Sequence, residues 1–236
     1  MELKSKNIFE SLETEMANFQ RSIEIDYNNL IKYENEENNS LLSYMMEVAD
    51  NLSILHNSMN DLQKILYNIN DLFDDIGDSG SDFVIENLKG ELKNFHILIK
   101  TLLDVLLKYI EVVFRRDISK KSLKTSQKIE VFPELSDELS NLRELITEFD
   151  EGRRNKIIHE GVFEDKMIND VWLYSASGWF HEKGNYAVNL KNKKIELLNT
   201  KIPILDELCF NIITILTTIL DSLETEYYRN EKNLSK

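Results

Sequence analysis

The sequence predicts an all-α protein: an up-and-down helical bundle with an extra long N-terminal helix and a small β-meander inserted near residues 171–198. Three observations predict it. Only seven glycines and two prolines interrupt 236 residues, so elements run long. Apolar residues recur at alternating steps of three and four over most of the chain, the period of one helix face. Hydrophobic residues make up 42% and charged residues 30% of the chain, a balance that supports a packed core.

The first helix is predicted over 8–33, where Phe9, Leu12, Met16, Phe19, Ile23 and Leu30 share a face. Asn and Glu cluster at 34–39, and Ser40 is placed to cap the second helix. In that helix Met45, Val48, Leu52, Leu55, Met59, Leu62, Leu66, Ile69, Phe73 and Ile76 form an unbroken heptad seam. Gly77, Asp78, Ser79, Gly80 and Ser81 predict a loop. A third helix follows over about 82–117, with Leu88, Leu92, Phe95, Ile99, Leu102, Leu106, Tyr109 and Val113 in register. Leu98, Leu103, Leu107 and Ile110 widen its apolar face, which places it centrally. Pro133 opens a fourth helix over 134–150, with Leu135, Leu139, Leu142, Leu145, Ile146 and Phe149 inward, and Gly152 is placed to end it. A fifth helix is expected over 153–168. Aromatic and turn residues between 171 and 198 predict the two or three short strands of the meander. The last helix, 203–228, is apolar nearly all round up to Leu220. The domain reading is an N-terminal helical extension, 1–39, and a bundle, 40–236, carrying the β insertion.

The net charge is −14, which by itself argues against a nucleic-acid partner. Its distribution weakens that argument. Residues 1–82 hold 5 Lys/Arg and 17 Asp/Glu, a net of −12, leaving −2 for the rest. Within 115–128, Arg115, Arg116, Lys120, Lys121, Lys124 and Lys128 stand against Asp117 alone. That segment is either a phosphate-contacting stretch or a solvated loop.

Several chemistries find no motif. Cys209 is the single cysteine and sits among apolar helical residues, the place of a small core side chain rather than a nucleophile. No Cys/His spacing suits zinc, no Asp-rich loop suits calcium, and neither a phosphate-binding glycine loop nor a serine-nucleophile motif occurs. No cofactor and no metal are expected. The N-terminus MELKSKNIFESLE lacks a signal core, and the uncharged apolar stretch 208–220 is short for a bilayer. The expectation is a cytoplasmic protein without a membrane partner.

The segment that carries chemistry is Arg154-Asn155-Lys156-Ile157-Ile158-His159, directly after Gly152 and Arg153. Arg-Asn, three residues, then His arises by chance in roughly one chain of this length in a hundred. With its helical setting, the segment resembles the HEPN superfamily of small helical bundles, whose motif is Arg-x(4–6)-His, often Arg-Asn-x-x-x-His, at the start of a late helix. The resemblance implies a metal-independent endoribonuclease of toxin or defence type. It implies a homodimer with a composite active site, and a possible antitoxin or regulatory partner. Gly161 stands where some HEPN toxins carry a tyrosine that an antitoxin modifies, so that route of regulation is not expected.

The residues suit the chemistry. On a helix Asn155 and His159 share a face. Arg154 diverges from His159 by about 140° in a regular helix, so both reach one site only if Arg154 lies at the helix start. Histidine titrates near neutral pH and can move protons. Arginine offers a fork of donors to a phosphorane. Arg153 and Lys156 add charge for RNA, as do Arg115, Arg116, Lys120 and Lys121. His56 and His96 read as packing or flank residues, and His181, beside Trp179 and Phe180, as a structural residue of the meander in preference to a base contact. Asp104 and Glu111 interrupt the third helix, where an inward acid could pair with Arg154. Two alternatives share much of the sequence evidence: a catalytically inactive HEPN-like bundle binding RNA or a protein, and a coiled-coil-rich module that uses its heptads to bind a partner.

Overall fold

The structure is a computed structural model that describes residues 3–32, 39–79, 82–116, 127, 129–150, 186–189, 194–197 and 203–235. The described residues are mostly helical: α1 (Lys6–Ile31), α2 (Asn39–Ser79), α3 (Asp82–Phe114), α4 (Ser136–Asp150, after a 3-10 turn Pro133–Leu135) and α5 (Pro203–Leu234). Two short strands, β1 (Tyr186–Asn189) and β2 (Lys194–Leu197), pair antiparallel, with Tyr186 opposite Leu197 and Asn189 opposite Lys194. The rest of 171–198 lies outside the described residues, as does the expected helix 153–168.

The helix patterns convert directly into burial. On α1, Phe9, Leu12, Met16, Phe19 and Ile23 are the buried residues. On α2 the seam from Met45 to Ile69 is at most 3% exposed at all eight positions. This seam therefore lies within the chain's own core, where its apolar area is already removed from water. Turns differ from expectation. α2 continues through Gly77, Asp78 and Ser79, because extending a formed helix adds a hydrogen bond per residue while one glycine costs only about 1 kcal/mol. Ser40 lies inside α2, since the helix opens at Asn39.

The chain divides into two compact units. The first comprises Met1–Lys6, Asp61–Lys100 and Thr147–Asn211. Its buried side chains include Leu62, Leu66, Ile69, Phe95, Ile99, Leu205, Leu208 and Cys209. Asn68 of α2 donates to Glu91 of α3 across 2.9 Å. The N-terminal segment is clasped by Asp206: its carboxylate accepts the backbone N–H of Lys4 at 2.7 Å and of Ser5 at 2.9 Å. Lys4 adds an ion pair to Glu207 and lies 4.2 Å from the Phe210 ring centre. Burial, then Asp206, pushes the Cys209 thiol well above its ordinary range, which keeps it protonated and suits a packing role.

The second unit comprises Asn7–Asn60, Thr101–Ile146 and Ile212–Lys236. Here α3 is buried almost all round, from Leu106 to Val113 with only Lys108 exposed, which is the central place its sequence predicts. α4 contributes Leu139, Leu142 and Ile146. α5 contributes Ile212, Ile213, Leu216, Ile219, Leu223 and Tyr227. An aromatic group joins α1, α2 and α5: Phe19 meets Tyr227 edge-on at 5.4 Å, and Tyr44 stacks on Tyr227 at 5.7 Å. α5 outruns its predicted end at Tyr228 because its polar tail is anchored. Asn230 donates to the Val113 carbonyl at 2.9 Å. A stretch of α5 has the length and mean hydropathy, 1.4, of a bilayer-crossing helix, and 44% of it is buried within the fold.

Candidate functional site

Arg153, Arg154, Asn155, Lys156 and His159 lie outside the described residues, as do Lys120, Lys121 and His181. What the structure describes is the element that leads into the motif. α4 is fixed by Leu139, Leu142 and Ile146 and runs to Asp150, four positions before Arg154. The described basic candidates are Arg115 and Arg116, at the end of α3.

The end of α3 is built by a helix-ending motif in an uncommon residue. Arg115 adopts φ 54°, the left-handed region that glycine favours. Its N–H bonds the Val112 carbonyl at 3.1 Å, and the N–H of Arg116 bonds the Glu111 carbonyl at 3.0 Å. This is the two-bond closure of a Schellman motif. The next orphan carbonyl, Val113, accepts the Tyr44 hydroxyl at 3.1 Å as well as Asn230. Burial holds the Tyr44 phenol far above its ordinary pKa, so it remains a donor.

The two arginines have different fates. Arg116 is committed: Nη1 donates to the Val131 carbonyl and to Glu134 at 2.9 Å each, and Nη2 donates to Glu134 at 2.6 Å. Its guanidinium also lies near the Phe114 and Phe132 rings. These hydrogen bonds to Arg116 hold the Glu134 carboxyl below its usual range, and they raise Arg116 in turn. Arg115 is exposed, and its guanidinium sits 5.8 Å from the Tyr44 ring centre. It borders an open cavity of about 500 Å³ with Ser40, Ser43, Glu47, Lys108 and Glu111. Lys108 is paired there with Glu111 at 3.2 Å. The cavity offers one guanidinium and two hydroxyls to an anion. The two carboxylates in its lining oppose a highly charged one.

The remaining candidates resolve by burial. Asp104 is exposed, so it is not the inward acid of α3. Glu111 is, at 7% exposure, with Lys108 as a partner. His96 is 1% exposed, a core position. His56 is partly buried, with Nε2 at 3.9 Å from Glu13. Among the described residues no group of three or more His, Cys, Asp or Glu is arranged to hold a metal ion. Sequence reasoning missed the left-handed Arg115, because glycine is the usual signal there. It also missed the Lys108–Glu111 pair, which three-residue helical spacing foreshadows.

No family model matches the chain, and no curated protein and no solved structure matches it significantly.

Proposed function

We propose that this protein is a metal-independent endoribonuclease that resembles the HEPN superfamily and acts through Arg154, Asn155 and His159. The observation that carries the reading is the Arg154-Asn155-Lys156-Ile157-Ile158-His159 motif in a mostly helical chain. In this reading the described helices belong to a HEPN-like bundle, and β1 and β2 to a small meander inserted before α5.

The chemistry follows from the side chains. His159 as base takes the proton of a ribose 2′-OH, whose oxygen attacks the adjacent phosphorus. Arg154 donates to the phosphorane oxygens as charge builds. The P–O5′ bond breaks, and the leaving oxygen gains a proton from an imidazolium. One histidine does not readily serve as base and acid in the same step, so the second His159 of a two-fold dimer is assigned the acid role. Asn155, four positions before His159 in the sequence, is assigned to orient it by a hydrogen bond. The products are a 2′,3′-cyclic phosphate and a 5′-OH. The toxin or defence setting follows from the resemblance, and the cytoplasmic location is carried over from the N-terminal sequence, which lacks a signal core.

Burial weighs against the coiled-coil alternative. Phe9, Leu12, Met16, Phe19 and Ile23 of α1 and the α2 positions from Met45 to Ile69 are buried in the chain's own core, so these positions do not form a free seam for a partner. End-group analysis of cleaved RNA tests the chemistry: cyclic phosphate ends are expected, and 3′-OH ends would refute it. Sedimentation tests the dimer: a species of twice the 27.7 kDa chain mass is expected, and an active monomer would refute the composite site.

A further inference from the structure

Within the first unit, residues 3–5 lie on the opening turns of α5. Their polar anchor is one carboxylate. Oδ2 of Asp206 accepts the Lys4 N–H, and Oδ1 accepts that of Ser5. Leu3, 5% exposed, supplies the apolar contact. The Lys4–Glu207 ion pair adds little, because both side chains are exposed and the gap is 3.6 Å.

Two features oppose this docking. The Ser5 hydroxyl is fully buried and has no hydrogen-bond partner among the described residues. Docking therefore strips its water and returns no bond. The Asp206 carboxylate also leaves water to hold the segment. Next along the chain, Lys6, Asn7 and Ile8 are not buried. The following anchor is Phe9, which belongs to the second unit. Residues 6–8 thus form a hinge between two separate anchors. A short segment with one polar catch, one unpaired buried group and an exposed hinge opens at a lower free energy than packed helices do.

We infer that residues 3–5 are a latch on α5 that opens by itself while the helices stay folded. Asp206 is its catch, and the buried Ser5 hydroxyl sets it close to release. Opening returns the Asp206 carboxylate, the Ser5 hydroxyl and the seat of Leu3 to water, so the latch alternately covers and bares the start of α5. This inference does not rest on the ribonuclease reading.

The test is amide hydrogen exchange of the full chain across low urea concentrations, each rate corrected for its intrinsic value. Lys4 reports the latch, and Ile99, a core residue of α3 in the same unit, reports unfolding. Lys4 is expected to be protected at least about a hundredfold less than Ile99, and without dependence on low urea. Ser5→Ala removes the unpaired hydroxyl and should raise Lys4 protection about fivefold. Asp206→Asn should lower it about tenfold. Ile99 should be equally protected in the parent and in Ser5→Ala. Circular dichroism checks that the variants fold, and Ser5→Ala keeps the test decisive if Asp206→Asn does not. Lys4 protection that falls with urea in parallel with Ile99 would overturn the inference, because the segment would then leave only on unfolding. Unchanged or lower Lys4 protection in Ser5→Ala would overturn it as well, because the hydroxyl would then not oppose closure.

Discussion

Nη2 of Arg116 lies 2.6 Å from Oε1 of Glu134, and this pair separates two adjacent arginines into a structural and an available one. The Arg116 guanidinium joins the end of α3 to the turn before α4. Arg115, one position earlier, bonds no carboxylate among the described residues.

Arg116→Ala is therefore expected to lower stability by about 1 kcal/mol, a figure already reduced for the exposure of the pair. Arg115→Gly should change stability by about 0 to +1 kcal/mol, because glycine relieves the left-handed backbone. If the cavity beside Arg115 contacts RNA, the same change weakens RNA binding. Urea denaturation beside a filter-binding assay separates the two. A destabilised Arg115→Gly would show that the guanidinium, rather than the backbone, is needed for the fold.

The N-terminal clasp is expected to contribute more. Asp206 is 6% exposed and accepts two backbone N–H groups. Asp206→Ala leaves those donors without an acceptor and should cost about 3 kcal/mol. Asp206→Asn, which keeps one acceptor, should cost less. Amide exchange at Lys4 and Ser5 should quicken in both variants. Unchanged protection there would contradict the clasp.

Three tyrosines predict opposite signs. Tyr44 donates to Val113, whereas the buried hydroxyls of Tyr109 and Tyr227 have no hydrogen-bond partner among the described residues. Tyr44→Phe should destabilise by about 1 kcal/mol, while Tyr109→Phe and Tyr227→Phe should be neutral or stabilising. Thermal melts of the three variants decide this, and equal losses in all three would contradict it.

Glu231 sets a pH dependence. Burial first, then the neighbouring Asp26, raises its pKa above the ordinary carboxyl value. The folded state therefore holds this proton more tightly than the unfolded chain, and the contribution is present at low pH and lost as pH rises through the raised value. Glu231→Gln should match the parent's stability below the carboxyl range and exceed it at neutral pH. Denaturation midpoints across that range check the sign; a variant less stable at neutral pH would contradict it.

The helical fold was legible wherever burial follows a local period. The α1 positions 9, 12, 16, 19 and 23 and the α2 seam required only step counting. Features set by distant contacts were not. Asp206 meets residues some 200 positions away. The polar tail of α5 stays helical partly because Asn230 reaches Val113. Gly77 read as a stop, yet α2 runs past it. Arg115 gave no sign of ending α3, because arginine rarely takes the left-handed conformation. At the candidate site the balance is reversed: the Arg154–His159 motif is legible as residue types and spacing, and it lies outside the described residues. Arg115 and Arg116 read alike in the sequence, and only their partners separate them.

Purified protein incubated with defined RNA in EDTA, beside His159→Ala, tests the proposed chemistry. Cleavage is expected to persist in EDTA and to disappear in the variant. Cleavage that requires magnesium, or that survives the loss of His159, would contradict it.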